Sequence, residues 1–297
     1  MKTIGLIGVG TMGAPMGESL LRAGFALRVC AHGRRDRVEK LVAAGAVEAP
    51  DPAAVAAGCD ALITMVPDAP QVEEALFGPR GAAQGLRAGS RVIDMSTISP
   101  VKSRSFHERL ASQGVAMLDA PVSGGPARAA DGTLAIMVGG DRETFAACEP
   151  ILRALGTPTH VGEAGMGETV KLVNQIIISS VMVANIEGML FAKKAGADID
   201  LVRKVIGSAT GSNYILDKWL PQTWFAGTHK SGFALDLLRK DLNAALQAAD
   251  AMGLTMPLSK CAAERYGEAS SDGFGADDYS AVAEPYERKG GVRIAES

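Results

Sequence analysis

Short apolar runs alternate with helix-like segments over the first half of the chain, and then the alternation stops. Runs rich in Val, Ile, Leu and Met occupy 3–7, 26–30, 61–66, 91–94, 116–120 and 134–138, with another near 159–161. They are too short for helices and scarcely alternate with polar residues, as expected of strands covered on both faces. Helical spacing fills 14–23, 37–44, 52–58, 71–77 and 99–113 between them. The alternation predicts an α/β, doubly wound parallel sheet. After Gly162-Glu-Ala-Gly165 the period changes. Residues 169–194 contain no proline and one glycine, Gly188, and their apolar side chains lie nearly all round. That predicts one buried helix, roughly 40 Å long at ~1.5 Å per residue. Further helical spacing at 199–206, 235–251 and 258–268 predicts an all-α domain built around that long central helix.

Length and composition fit this division. A chain of 297 residues, 47% hydrophobic and 21% charged, is sized for two domains with a sizeable core. The boundaries are expected at 1–162 for the sheet domain and 163–290 for the helical one, with 291–297 as a loose tail. Net charge is −3 and the pI about 5.9, so no basic field argues for nucleic acid. The first strand begins almost at residue 1, leaving no room for a signal segment. The longest apolar stretch, 172–184, is interrupted by Asn174, Gln175 and two serines, so it reads as core and no membrane partner is expected. Cys30, Cys59, Cys148 and Cys261 show neither CxxC spacing nor close pairing and read as reduced core residues of a cytoplasmic protein. The four histidines are scattered, and no metal is expected.

Chemistry enters at the first turn. The run 4–7 breaks into Gly8-Val9-Gly10-Thr11-Met12-Gly13. In a dinucleotide-binding turn the first glycine permits the tight bend and the second lets the backbone approach a pyrophosphate. The third allows close helix–strand packing. The following helix N-terminus attracts the phosphates. A bare GxGxxG can be a purely structural turn, but here it follows a strand and opens a helix, so the sheet domain reads as an NAD(P)-binding Rossmann domain. An NAD-specific site carries an acid about twenty residues on, whereas this chain has Ala31-His32-Gly33-Arg34-Arg35-Asp36-Arg37. Guanidinium groups suit a 2′-phosphate. Arg34 and Arg35 therefore favour NADP(H), with NAD(H) as the alternative if Asp36 serves as the ribose acid or the arginines form only a solvated turn.

Three further segments carry candidate chemistry. Asp119-Ala-Pro-Val-Ser-Gly-Gly125 places a hydroxyl and two glycines at a strand's carboxyl end, where open sheets bind ligands. Ser123 and the amides of Gly124 and Gly125 can hold a carboxylate or hydroxyl, or form an ordinary glycine-rich turn. In Gly165-Met-Gly-Glu-Thr-Val-Lys171-Leu-Val-Asn174-Gln175, Lys171 and Asn174 share a helix face. A lysine in so apolar a helix either snorkels to the surface or works as an acid with a pKa lowered by burial. Lys240-Asp241 reads as a helical charge pair, preceded by Tyr214, Trp219, Trp224, Phe225 and Phe233, which pack an irregular stretch or line a pocket.

Together these segments resemble the β-hydroxyacid dehydrogenase family, the match covering nearly the whole chain. The resemblance implies that Lys171 is the catalytic acid/base and that Asn174, with Gln175 beside it, orients the substrate. It further implies that Ser123, Gly124 and Gly125 bind the substrate's polar end, and that Val66, Pro67, Thr97 and Lys240 contact the cofactor. Gln175 stands where many members have a second Asn, and His32-Gly33-Arg34 replaces the commoner Asn-Arg-Thr. The expected activity is interconversion of a small β-hydroxy acid with its semialdehyde or keto acid. Alternatives are an imine reductase, against which the retained Lys171 argues, or a non-catalytic nucleotide-binding protein on the same fold. The substrate is expected to be a small carboxylate-bearing molecule. The long apolar helix has more circumference than its neighbours can cover, predicting a homodimer or homotetramer.

Overall fold

Strand β1 (Thr3–Ile7) pairs in parallel with β2 (Ala26–Cys30) on one side and with β4 (Ala61–Thr64) on the other. The computed structural model describes residues 2–33, 35–230 and 232–295. Beyond β2 lies β3 (Val47–Ala49); beyond β4 lie β5 (Arg91–Asp94), β6 (Ala116–Asp119), β8 (Leu134–Gly139) and β7 (Val122–Ser123), and β9 (Gly156–Gly162) pairs with β8. The order β3-β2-β1-β4-β5-β6 reverses direction between β1 and β4, the switch point at which open α/β sheets bind ligands. Helices α1 (Gly13–Arg22), α2 (Arg35–Ala43), α3 (Pro52–Ala56), α4 (Ala69–Phe77), α5 (Pro100–Ala111), α6 (Gly125–Asp131) and α7 (Arg142–Leu155) connect these strands.

Alternation along the strands feeds two cores. Ile4, Leu6, Ala61 and Ile63 pack with Met16 and Leu20 of α1 on one face. Ile7, Leu62 and Val92 pack with Val55, Val72, Leu76 and Phe106 on the other. Each fully buried side chain of this size contributes about 1.5–3 kcal/mol, so two-sided coverage follows from the unbroken apolar runs. The sheet is doubly wound and mostly parallel, with one departure from the sequence reading. Strand β8 runs antiparallel to β6 and β7, because the residues between Ser123 and Leu134 are too few for a crossover, which needs a dozen or more.

The chain divides into two compact units, one ending at Lys171 and one beginning at Leu172. The boundary falls within α8 (Met166–Lys194), a helix of 29 residues. By length and composition alone α8 could cross a membrane, a test that the core helix of a globular domain also passes. In the second unit, Met182, Ile186 and Met189 of α8 pack with Leu216, Leu220 and Trp224, and with Leu235, Leu238 and Leu242 of α10 (Leu235–Ala251). Helices α9 (Ile199–Gly207), α11 (Pro257–Ala269) and α12 (Ala283–Gly290) complete it. Trp219, Trp224, Phe225 and Phe233 pack in or against this core while Tyr214 is exposed, so four of the five aromatics stabilise the irregular stretch. Among the described residues after Gly291, Ile294 is held in place: it is buried, and its amide donates to Glu287 Oε1 at 2.8 Å. Cys30 and Cys148 are buried, and burial pushes both thiols up to about 11; Cys261 lies on the surface instead of in the core.

Candidate functional site

The three glycines of the first turn differ in what a side chain would meet. Gly8 has φ +100°, and a Cβ there would strike the Met65 carbonyl and lie 2.9 Å from Val66 Cγ1. A Cβ on Gly13 would strike the Gly8 carbonyl, whereas one on Gly10 would meet nothing within 4 Å. Gly8 and Gly13 are thus demanded by the turn itself, and Gly10 by nothing in the protein, which leaves open space where a pyrophosphate would approach. Helix α1 begins without a side-chain cap and without an acid in its first turn. No acid offsets the positive end of its dipole, and the residues present fit a dinucleotide.

At the end of β2, His32 is exposed and Gly33 has φ +85°; Arg34 lies outside the described residues. Arg35 opens α2 and pairs with Glu48 at 3.3 Å and Glu39 at 3.6 Å, both exposed pairs of small energetic weight. Arg37, one residue past Asp36, donates to the Thr11 hydroxyl at 3.3 Å. That contact brings a guanidinium onto the glycine-rich turn, a placement that sequence spacing alone did not single out.

Val66 and Thr97 follow β4 and β5, and a buried polar cluster ties the two loops together. The Val66 amide donates to Ser96 Oγ at 3.1 Å. Asp94 Oδ1 accepts from Thr64 Oγ1 at 2.8 Å and from the Ser96 amide at 3.1 Å. Burial pushes the Asp94 pKa above the ordinary carboxylate range, the bonds from Ser96 and Thr64 oppose the rise, and nearby Asp119 adds to it. The folded state therefore holds this proton at pH values where the unfolded chain has released it. The Asp94 contribution to stability must then fall as pH rises from the ordinary carboxylate range through the raised folded value. Asp94→Asn keeps the acceptor for Thr64 and Ser96 and cannot titrate. Thermal melts of the two proteins between pH 4 and pH 8 should show the variant gaining on the parent as pH rises; parallel curves would contradict the shift.

Ser123, Gly124 and Gly125 sit at the start of α6, half-buried, with φ of +137° and +72° at the two glycines and no side-chain cap on the helix. At the start of α8, Asp119 accepts the Gly165 amide at 2.8 Å and the Glu168 amide at 3.0 Å. Glu168 Oε2 accepts the Ile98 amide at 3.1 Å. Lys171, one turn along, is 7% exposed. Among the described residues no group of three His, Cys, Asp or Glu could hold a metal ion.

In the second unit, Asn174 Nδ2 donates to Gln175 Oε1 at 2.9 Å, and Gln175 Nε2 donates to Asp241 Oδ2 at 2.7 Å. Lys240 Nζ lies 2.9 Å from Asp241 Oδ1. Gln175 and Asp241 are nearly inaccessible. Both ends of the Gln175 amide are engaged, so it braces Asn174 from behind. Asp241 is buried at the far end of this polar chain, while Lys240 beside it keeps a partly exposed side chain.

The fold and nucleotide turn define a dinucleotide-binding protein, and comparison with known proteins makes it an NAD(P)-dependent oxidoreductase. Residues 3–167 match the model of the NAD binding domain of 6-phosphogluconate dehydrogenase. Residues 165–286 match the model described as NAD-binding of NADP-dependent 3-hydroxyisobutyrate dehydrogenase. The chain is 39% identical to the 2-hydroxy-3-oxopropionate reductase of Escherichia coli (strain K12), covering 98% of this chain and 99% of that one. A Mycobacterium tuberculosis 3-hydroxyisobutyrate dehydrogenase, solved with L-serine, superposes with a TM-score of 0.89 at 32% identity, over 96% of this chain and 99% of that one. The protein Psf3, solved with NADP+ and 2-OPP, gives 0.86 at 27% identity, over 95% and 99%. The chain belongs to the β-hydroxyacid dehydrogenase family.

Proposed function

We propose that this protein is an NADP(H)-preferring enzyme that interconverts a small β-hydroxy acid and its semialdehyde or keto acid, with Lys171 as the proton-transfer group. The observation that carries this reading is Lys171 itself, a nearly buried lysine one helical turn before Asn174 on α8. A bound nicotinamide would supply or accept the hydride. Lys171 gives a proton to the oxygen of the carbonyl being reduced, or takes it from the hydroxyl in the reverse direction. Asn174, held by Gln175 and Asp241, orients that oxygen. Ser123 with the Gly124 and Gly125 amides holds the substrate carboxylate, and Gly8 to Gly13 with Val66, Pro67, Thr97 and Lys240 hold the cofactor. The resemblance to a reductase of 2-hydroxy-3-oxopropionate supports a semialdehyde of that size. A panel of semialdehydes, 2-keto acids, hydroxy acids and cyclic imines, followed by nicotinamide absorbance, tests the reading. Turnover confined to carboxylate-bearing members is expected; turnover of imines alone would sink it.

The same reading includes a homo-oligomer, a dimer or a dimer of dimers, working in the cytoplasm. Helix α8 leaves Val173, Ile177 and Phe191 exposed, Phe191 at 78%, and α9 buries none of its residues although Leu201 and Val205 are apolar. So much exposed apolar surface on one unit is a cost that a second copy relieves. Light scattering at micromolar concentration should return a dimeric or tetrameric mass, and a monomeric mass would contradict the assembly.

A further inference from the structure

Asp119 is fully buried at the carboxyl end of β6, and the groups around its carboxylate come from separate segments. The amides of Gly165 and Glu168 donate to its two oxygens. His107 Nε2 of α5 stands 3.3 Å from Oδ1. Gly139, at the end of β8, and Gly167 close over it so tightly that a Cβ on Gly139 would fall 2.7 Å from either oxygen, and one on Gly167 2.8 Å from Oδ2. An ordinary helix cap is the residue just before the helix and fixes only the helix end. This one comes from 46 residues upstream of Gly165, so it fixes the start of α8 to the edge of the sheet. Glu168 adds a second tie, accepting from the amide of Ile98, 70 residues away.

Lys171 follows Glu168 by three residues, on the next turn of the same helix. A helix start held by charge-assisted bonds at two points, and crowded by glycines that admit no larger residue, can neither slide nor rotate without breaking them. We infer that Asp119, with Glu168 in support, is a positioning residue: it holds the first turn of α8 against the sheet and so sets where Lys171 presents its ammonium. Asp119 is inaccessible from the surface, and both of its oxygens are turned to the α8 amides. The inference rests on the reading of Lys171 as the proton-transfer group, and its logic is that a misplacement of about 1 Å can cost roughly a hundredfold in rate.

The test uses Asp119→Asn in the full-length enzyme. The amide can accept only one of the two N–H bonds and turns a donor toward the other. Turnover per bound NADPH, with occupancy read from nucleotide fluorescence, should fall by about tenfold or more while the cofactor dissociation constant stays within about twofold. In a Lys171→Ala background the same substitution should cost less than about twofold, because a residue acting through Lys171 has nothing left to position. A full loss repeated in that background, or unchanged turnover per bound cofactor in Asp119→Asn alone, would overturn the inference. If Asp119→Asn does not fold, Glu168→Ala is judged by the same two measurements, with a smaller loss expected. Lys171→Ala alone separates the two claims: if it retains activity the Lys171 reading fails, whereas if it is inactive and Asp119→Asn is not, only the positioning role fails.

Discussion

Lys171→Ala is expected to lower turnover by at least about a hundredfold, the lower part of the range for general acid–base catalysis, with cofactor affinity nearly unchanged. Hydride delivery to a carbonyl leaves an oxyanion that needs a proton. Other donors near the motifs are poorly suited: Asp119 is committed to the α8 amides, and Ser123 is a weak acid unaided. Affinity for the nucleotide should survive because the glycine turn, the loops after β4 and β5, and the arginines of α2 contain no part of Lys171. Lys171→Arg should not restore turnover, since a guanidinium does not release its proton near neutral pH. Retention of more than about a tenth of wild-type turnover by the alanine variant, with chemistry rate-limiting, would make Lys171 structural.

The second large effect concerns the adenosine end of the cofactor. Catalytic efficiency should be higher with NADPH than with NADH, and Arg34→Ala, Arg35→Ala or Arg37→Ala should erode the difference. Removing one charge-assisted bond to a phosphate costs about 1.5–3 kcal/mol, roughly ten- to a hundredfold. Arg37 joins the set because its bond to Thr11 brings it to the turn that faces the phosphates. Arg35 enters with its two exposed partners, Glu39 and Glu48, and such exposed pairs hold a guanidinium only weakly. Steady-state kinetics with both cofactors decides it, and equal or better use of NADH by the unmodified enzyme would contradict the preference.

Most of the architecture was legible because hydrophobic burial writes itself into spacing. The runs at β1, β2 and β5 were read to the residue, and α10 likewise. What escaped was set by contacts distant in sequence. Strand β3 is three residues long with two of them exposed, too little signal for any periodicity. The reversal of β8 was within reach of the sequence through the short link from Ser123 to Leu134, but apolar spacing carries no strand direction. Helix α7 carries Pro150 in its interior, a residue that argues against a helix in sequence. The motif positions were readable, but their partners were not. Asp94 and Asp119 each end an apolar strand and lie opposite one another in register, which shows only that polar groups gather at the sheet edge. That Asp119 caps α8, or that Gln175 reaches Asp241 across 66 residues, follows from tertiary packing alone.

The most direct test of the central claim compares two matched substrates. The carboxylate-bearing aldehyde that turns over fastest is measured against the same aldehyde lacking its carboxylate, both with saturating NADPH. A site that pairs Lys171 with an anion cradle at Ser123 to Gly125 should favour the acid by about a hundredfold or more in kcat/KM, since the analogue leaves those donors unpaired. Equal efficiencies for the two would contradict it.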